Sequence, residues 1–280
     1  MMAKVGVEDL PSGMSRTQGA EVNLAFRVQG NGPAIVMLHG TSANYAVWEP
    51  IANGLASRAT TISLDQRGHG RSDKPETGYD GASFASDIIT VLDALGIEQA
   101  IVAGHSLGAR NAWVAAAKYP DRVSAVVAVD YTPFVEQSVL DNLELCVAGG
   151  NKVFASIADI EGYLHKRYLR MPLDAVRRRA EWGYRQLADG GWVPLAPAFA
   201  LKLLVSGLRT SWEQEFQDVA VPMTCVHGID SKVVSVAAWD AAQGAHESAR
   251  WVVVDNADHY VPEERPDVIA AELLRILERT

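Results

Sequence analysis

Ser106 has sequence surroundings that suit covalent catalysis by a serine hydroxyl. It is the third residue of segment 104–108, Gly-His-Ser-Leu-Gly, which matches the pattern G-x-S-x-G. The apolar run 100–103 precedes this segment, and the helix-forming residues 109–118 follow it. A serine at such a strand-to-helix turn exposes its hydroxyl, and the helix N-terminus favours developing negative charge. We therefore predict that Ser106 is a nucleophile. The alternative is a fortuitous glycine-rich turn. A phosphate-binding loop fits worse, because neither glycine pattern of such loops is present.

A histidine and two backbone N–H groups complete the predicted chemistry. His259 lies in a turn-rich loop, residues 256–266, between the last predicted strand and the last predicted helix. We predict that it is the general base, because it also follows the serine in the chain; a surface loop histidine is the alternative. The backbone N–H groups of Thr41 and Leu107 are predicted to bind the oxyanion. His39, which precedes Gly40 and Thr41, is interpreted as structural.

Apolar runs rich in β-branched residues alternate with amphipathic segments along most of the chain. The predicted strands are residues 21–29, 34–38, 60–64, 100–104, 124–129, 223–226 and 250–254. The predicted helices are residues 48–57, 84–95, 107–119, 236–244 and 266–278. This alternation predicts an α/β fold in which a mostly parallel sheet has helices on both faces.

One long segment interrupts the alternation. It contains no convincing strand, and its helical stretches are residues 153–169, 173–187 and 198–208. Because the segment follows the carboxyl end of a strand, an inserted helical cap over the ligand site is expected. The predicted division is a core of residues 21–131 and 211–280, a helical cap of residues 132–210 and a loosely ordered leader of residues 1–20.

Four motifs, in this order and spacing, resemble those of the α/β-hydrolase superfamily. They are residues 39–41, 65–72, 104–108 and 256–266, and the second of them is interpreted as a structural turn. The resemblance covers nearly the whole chain after the first twenty residues or so. It implies the α/β-hydrolase fold and a triad of nucleophile, acid and histidine.

The acid of the implied triad has two candidates. The superfamily usually supplies it three residues after a glycine that follows the penultimate strand, and here Ser231 stands three residues after Gly228. Asp230 is one residue out of that register. Asp130 ends the strand 124–129 at the carboxyl edge of the sheet, from where a carboxylate can reach the histidine. We prefer Asp130 to Asp230, with Ser231 as a polar neighbour; a turn-initiating aspartate is the other interpretation of Asp130.

The predicted cap is unexpectedly rich in arginine and aromatic residues for an acidic protein. They are Arg167, Arg170, Arg177, Arg178 and Arg179, with Tyr163, Tyr168, Trp182 and Tyr184. Most of these arginines are expected on a solvated helix face. Since guanidinium groups bind carboxylates with two hydrogen bonds, one or two inward-facing arginines would select an anionic substrate. We assign this role to Arg167 and Arg179, with Tyr168 as a hydrogen-bond partner.

Within the superfamily, the turn Asp130-Tyr-Thr-Pro and the arginine-bearing cap resemble those of hydrolases that cleave the acetamido (enamide) bond of a small dicarboxylate. This resemblance implies release of acetate, with the other fragment breaking down to succinate semialdehyde, ammonia and carbon dioxide. Ser106 would form an acetyl-enzyme; direct attack by water, with Ser106 assisting, is left open. A general carboxylesterase, a carbon–carbon bond hydrolase and a non-catalytic ligand-binding protein are the alternatives.

Composition excludes several other classes of protein. The formal net charge is −9, and no basic run interleaved with aromatic residues suggests nucleic-acid binding. Apolar runs are far shorter than the roughly 20 residues that span a bilayer, and no secretory leader is visible, so a cytoplasmic protein is predicted. Cys146 and Cys225 lack metal-binding spacing and are interpreted as reduced packing residues. No metal or nucleotide motif is visible, so no cofactor is predicted, and a monomer and a homodimer are both left open.

Overall fold

The fold is built around a twisted sheet. The computed structural model describes residues 10–18, 21–148 and 152–279, and within them the main sheet has eight strands. Two further strands, β7 and β8, form a small separate sheet. All the described strands, in chain order, are β1 (Met14–Arg16), β2 (Ala25–Gly30), β3 (Ala34–Leu38), β4 (Thr60–Leu64), β5 (Ala100–His105), β6 (Val123–Val129), β7 (Tyr184–Gln186), β8 (Trp192–Pro194), β9 (Met223–Gly228) and β10 (Arg250–Val254). The sheet order is β1-β2-β4-β3-β5-β6-β9-β10, antiparallel only at β1–β2 and β2–β4. The predicted mostly parallel sheet is confirmed.

Helices connect the parallel strands. They are α1 (Glu49–Leu55), α2 (Gly81–Ala94), α3 (Leu107–Lys118), α4 (Gln137–Ala148), α5 (Ile157–Arg167), α6 (Leu173–Trp182), α7 (Ala198–Leu208), α8 (Glu213–Gln217), α9 (Val236–Ala245), α10 (Val261–Glu264) and α11 (Pro266–Leu277), with a short 3₁₀ helix at Tyr45–Trp48. Within the described ranges, none of the helices has the length and apolar character needed to cross a membrane.

The two faces of the sheet are covered by different helices, and β3 shows how the sequence directs this. Successive side chains of a strand point to opposite faces. Ile35 and Met37 belong to the apolar cluster formed with α1 and α11, whereas Val36 and Leu38 belong to the one formed with α2 and α3. Strand β3 and the first four residues of β5 are continuous apolar runs, as expected for strands that are covered on both sides.

The segment between β6 and β9 is mainly helical, as predicted, and packs in two parts. Helices α4 and α7 contact each other, and their residues Leu140 and Leu204 join the larger sheet-facing cluster. Helices α5 and α6 form a separate small core that includes Ile160, Leu164 and Val176. This second part therefore packs apart from the main core, and its polar side chains can point away from that core.

The cap differs from the prediction in its helix ends and in a small hairpin. Helix α5 begins after Ser156, whose side chain accepts a hydrogen bond from the Asp159 N–H and so caps the helix. Helix α6 ends before Gly183, where an added Cβ would lie 2.6 Å from the Arg179 carbonyl oxygen. Strands β7 and β8 follow as an antiparallel pair, so the prediction of a cap without strands is wrong.

The predicted leader is also partly wrong. Strand β1 pairs antiparallel with β2, from Met14 opposite Arg27 to Arg16 opposite Ala25. These residues are therefore part of the sheet rather than a loosely ordered leader. The rest of that prediction concerns residues 1–9 and 19–20 as well, and these lie outside the described residues.

Two glycines allow β5 and α3 to meet in a sharp turn. A Cβ on Gly104 would lie 2.0 Å from the Gly108 carbonyl oxygen, and one on Gly108 would lie 2.2 Å from the Leu38 carbonyl oxygen. The obstructing atoms are backbone atoms of packed elements, so they cannot move aside as a flexible side chain would. The close approach fixes the position of residue 106 at the tip of the turn.

We predict that Gly104→Ala lowers the free energy of unfolding by at least about 2 kcal/mol, since the added methyl group overpacks the turn. The matched control is Gly162→Ala in α5, where an added Cβ meets nothing within 4 Å. This control should raise the free energy of unfolding by about 0.5–1 kcal/mol, because alanine loses less backbone entropy in a helix. Urea denaturation followed by circular dichroism measures both; equal effects would contradict the packing argument.

Candidate active site

Ser106 is in the strained backbone conformation expected for a nucleophile at a strand-to-helix turn. Its φ is 53° and its ψ is −116°, a combination that non-glycine residues adopt at a cost of about 1–3 kcal/mol. Its N–H donates to the Val129 carbonyl oxygen at 2.8 Å, which holds the turn in place. Leu107 is the first residue of α3, so its N–H has no intrahelical acceptor and lies at the positive end of the helix.

Asp130 follows β6 and is fully buried, and its carboxylate contacts His259. Its Oδ2 is 2.7 Å from His259 Nδ1. The same carboxylate accepts hydrogen bonds from His227 Nδ1 at 2.8 Å, the Gly228 N–H at 3.0 Å and Ser231 Oγ at 2.5 Å. Burial alone would raise the pKa of Asp130, but the hydrogen bonds from His227, His259 and Ser231 outweigh it and lower the pKa to about 2. Asp130 is therefore ionised at neutral pH.

The contact with Asp130 fixes the orientation of the His259 ring. An ionised carboxylate only accepts hydrogen bonds, so Nδ1 carries the proton and Nε2 is left as the basic nitrogen. His105, the residue before Ser106, has its Nε2 2.7 Å from the His259 carbonyl oxygen. The rings of His105 and His259 are 4.7 Å apart. The turn at Ser106 and the loop that carries His259 are thus in direct contact.

The loop after β3 lies against Ser106. A Cβ on Gly40 would be 3.2 Å from the Ser106 Cβ and 2.8 Å from His105 Nδ1, so only glycine fits here. The next residue is Thr41, whose N–H was predicted to bind the oxyanion together with that of Leu107. The Thr41 hydroxyl is buried and makes no hydrogen bond within the described part of the chain.

Two buried, neutral histidines hold this loop. His39 donates from Nδ1 to the Gly40 carbonyl oxygen at 2.8 Å and accepts the Gln66 N–H at Nε2 at 3.1 Å. His69 accepts the Ser42 N–H at Nε2 at 3.2 Å and lies 3.1 Å from the Arg67 carbonyl oxygen through Nδ1. Burial lowers the pKa of His39 to about 4 and that of His69 to about 3. Both rings can therefore accept from the backbone at neutral pH, which agrees with a structural role for His39.

Asp230, the alternative acid, does not contact His259. Its Oδ2 is 2.6 Å from Arg170 Nη1 in an exposed ion pair, and its backbone N–H donates to the Ala257 carbonyl oxygen. The alternative prediction that Asp230 is the acid is therefore wrong, because the loop turns its side chain towards solvent. Ser231, in the usual position of the superfamily acid, points its hydroxyl at Asp130.

Sequence reasoning missed His227. It lies in β9, directly after Val226, which is in register with Val129 of β6, so His227 and Asp130 reach the same edge of the sheet. Its ring stacks on Trp239 at 4.9 Å between centroids. The available signal was its place at the end of an apolar strand, which marks the carboxyl edge of a parallel sheet.

A cleft that is partly open to solvent lies between the cap and the loop after Thr41. Arg167, Tyr168 and Arg179, the three predicted substrate-binding residues, all line it. Its lining, within the described residues, does not include Ser106 or His259. The Tyr168 ring nevertheless contacts that of Tyr260, next to His259, at 4.8 Å. The cleft therefore borders the site on the cap side.

Arg167 and Arg179 differ in their partners. Arg167 donates to the hydroxyl groups of Tyr163 and Tyr168, both at 3.2 Å. Arg179 is buried, with Nε 2.8 Å from Glu263 Oε1 and Nη2 bonded to Glu263 Oε2. Burial would lower the pKa of Arg179, but Glu263 outweighs it and raises the pKa. Arg179 pairs with Glu263, whereas Arg167 has no carboxylate partner among the described residues. Arg167 is therefore the better candidate for binding a substrate carboxylate, and the assignment of Arg179 stays a prediction.

The cysteines also differ from each other. Cys225 is buried in β9, where burial raises the pKa of its thiol, in agreement with the packing role predicted for it. Cys146 is exposed and lines the cleft, so its prediction as a packing residue is wrong. Among the described residues, no group of three or more histidine, cysteine or acidic side chains is arranged to hold a metal ion.

Comparison with known proteins agrees with this geometry. A family profile described as alpha/beta hydrolase fold matches residues 33–146, and the chain belongs to this family and is a hydrolase. A 2-(acetamidomethylene)succinate hydrolase from Mesorhizobium japonicum is 46% identical over 253 residues, which are 90% of this chain and 91% of that protein.

Solved structures give the same picture. The crystal structure of E-2-(acetamidomethylene)succinate hydrolase matches with a TM-score of 0.92 and 43% identity, over 95% of this chain and 98% of that one. A thioesterase domain from the curacin biosynthetic pathway, at 18% identity, has a TM-score of 0.80 over 93% of this chain and 98% of its own. The second match concerns the fold alone.

We predict that Asp130→Asn lowers kcat/KM by about 10⁴-fold, because the neutral amide neither fixes the His259 tautomer nor stabilises its charged form. Hydrolysis of p-nitrophenyl acetate under first-order conditions measures the change. The matched control is Asp230→Asn, which removes an exposed ion pair and should change kcat/KM by less than about twofold. A large loss in the control, or activity retained in Asp130→Asn, would overturn the assignment.

The buried histidines predict that acid destabilises the protein. Their folded pKa values lie below the unfolded value of about 6.5, so only the unfolded state takes up protons as the pH falls below that value. The contribution of these histidines to the free energy of unfolding is therefore fully present above about pH 6.5. It is lost towards pH 3–4, by about 1.4 kcal/mol per pH unit for each histidine. We predict that His69→Gln, which keeps an acceptor for the Ser42 N–H, removes one such contribution.

Urea denaturation between about pH 4.5 and 5.5 tests this, since the slope of the unfolding free energy should become shallower by about 1.4 kcal/mol per pH unit. His165→Gln, an exposed position on α5, is the control and should leave the slope unchanged. An unchanged slope in His69→Gln would show that His69 is protonated in the folded protein.

Proposed function

We propose that the chain hydrolyses the acetamido (enamide) bond of a small dicarboxylate, 2-(acetamidomethylene)succinate or a close analogue. The products are acetate and a fragment that breaks down to succinate semialdehyde, ammonia and carbon dioxide. The observation that carries this proposal is Arg167, a cation on the cleft wall whose bonded partners are tyrosine hydroxyls rather than a carboxylate. The relative that is 46% identical over most of its length bears the same activity in its name.

In this proposal Ser106 attacks the acetyl carbonyl carbon. His259 Nε2 takes the Ser106 hydroxyl proton and delivers it to the departing nitrogen, while Asp130 stabilises the charged imidazole. The backbone N–H groups of Thr41 and Leu107 bind the oxyanion, for which loss of one donor costs about 3 kcal/mol. Water activated by His259 then hydrolyses the acetyl-enzyme and releases acetate.

The cap supplies recognition in this scheme. We assign residues 132–210 to it, with Arg167 binding one substrate carboxylate and Tyr168 donating a second hydrogen bond beside it. The ion-paired Arg179 holds Tyr168 and Tyr260, with its guanidinium carbon 4.9 Å and 5.0 Å from their ring centroids. Arg179 thus positions the aromatic wall between the cleft and His259. We place the reaction in the cytoplasm, where the free thiols of Cys146 and Cys225 are stable.

The test is acetate release from 2-(acetamidomethylene)succinate, followed by proton NMR. We predict that the wild-type protein hydrolyses it with a higher kcat/KM than p-nitrophenyl acetate, and that Ser106→Ala loses at least about 10³-fold in kcat. Retention of most activity in Ser106→Ala would favour direct attack by water, with Ser106 only assisting.

Ser86→Ala, at an exposed serine of α2, is the matched control and should leave kcat unchanged. Preference for the neutral ester would favour a general carboxylesterase instead. Turnover of a vinylogous diketone alone would favour a carbon–carbon bond hydrolase, and binding of the dicarboxylate without any turnover would favour a ligand-binding protein.

A further inference from the structure

The cleft wall holds one more cation, Lys152, which the proposed function does not use. Lys152 lies just before α5, exposed, and lines the cleft. Its Nζ is 5.2 Å from the centroid of the Phe154 ring and 4.8 Å from that of the Tyr163 ring. Cation–π contacts of this kind hold an ammonium group in a defined place. The Lys152 ammonium group therefore lies against the wall of the cleft, next to two aromatic rings.

Lys152 and Arg167 share one tyrosine. Arg167 Nη1 donates to the Tyr163 hydroxyl at 3.2 Å, while the Lys152 ammonium lies over the ring of the same residue. The two positive groups are thus separated by no more than the length of this side chain and its two contacts. Like charges at this separation repel each other weakly, and an anion bound between them would be attracted by both.

No carboxylate in the described part of the chain plays that part. Among the described residues, neither Lys152 nor Arg167 forms an ion pair, and the lining of the cleft includes no aspartate or glutamate. Other cap arginines are neutralised, Arg170 by Asp230, Arg178 by Asp174 and Arg179 by Glu263. Within the described cap, Lys152 and Arg167 are therefore two cations without a carboxylate partner, and both lie on one wall of the cleft.

We propose that Lys152 and Arg167 form a two-cation subsite that binds both carboxylates of a dicarboxylate ligand. Arg167 takes one carboxylate through its planar guanidinium group, and Lys152 takes the other as a point charge. The identity of the natural ligand rests on the proposed function, but the subsite itself rests on the charges and contacts of the cleft. It makes Lys152 a specificity-determining residue that favours dicarboxylates over monocarboxylates.

The experiment is calorimetric titration of the full chain at low ionic strength with succinate and with butanoate, a monocarboxylate of the same chain length. We expect succinate to bind at least about tenfold more tightly than butanoate. Lys152→Gln should weaken succinate binding by about tenfold and butanoate binding by no more than about twofold. Lys152→Arg should restore succinate binding to within about threefold of the wild type.

The matched control is Lys166→Gln, since Lys166 is an exposed lysine of α5 outside the cleft lining. It should leave both affinities within about twofold of the wild-type values. Unchanged succinate binding in Lys152→Gln, or an equal loss in Lys166→Gln, would overturn the subsite. If Lys152→Gln behaves as expected but the wild-type protein releases no acetate from the acetamido substrate, the proposed function fails and the dicarboxylate subsite stands.

Discussion

The hydrogen bond between Asp130 and His259 requires a carboxylate that stays charged in the protein interior. Moving such a group out of water costs several kcal/mol, whereas each hydrogen bond to a charged group contributes about 1.5–3 kcal/mol. Besides His259, the donors are His227, Gly228 and Ser231, which all come from β9 or the turn after it. Their combined contribution is of the size of the desolvation cost, so Asp130 can remain ionised beside the imidazole.

This arrangement explains why strand order matters to the proposed chemistry. Strands β6 and β9 are neighbours and parallel, with Val129 opposite Val226, so the residues that follow them emerge at one edge. Ser106 emerges at the same edge from β5, which pairs with the other side of β6. The positions of Ser106, Asp130 and the donors that keep Asp130 charged are therefore set by the register of three adjacent strands.

Sequence reasoning could identify the parts of this site that depend on local pattern. The serine turn, the loop after β3 and the ends of the apolar strands are short-range signals, and Asp130 was accessible because it directly follows a strand. His227 was not accessible, since its proximity to Asp130 depends on which strands are neighbours. The alternative assignment of Asp230 as the acid was wrong because spacing along a loop does not determine where a side chain points. The Asp230 carboxylate pairs with Arg170 at the surface.

The fold shows the same division between local and long-range information. The long apolar strands and amphipathic helices of the core were predictable because each has several periods of its pattern. Strands β1, β7 and β8 have only three residues each, which is too short for a period-2 pattern to stand out from loop sequence. They exist because a neighbouring strand supplies their hydrogen bonds. Tertiary context, rather than their own sequence, specifies them.

The cap is attached beside the proposed base through an ion pair that is hard to explain by stability alone. Arg179 of α6 and Glu263 of α10 are both buried, and well-packed apolar residues would often stabilise such a position at least as well. What the pair adds is geometry, because two parallel hydrogen bonds fix a guanidinium group in distance and in angle. Its guanidinium contacts Tyr168 on the cleft side and Tyr260 next to His259. The wall proposed to recognise the substrate is thereby held at a fixed position relative to the proposed base, His259.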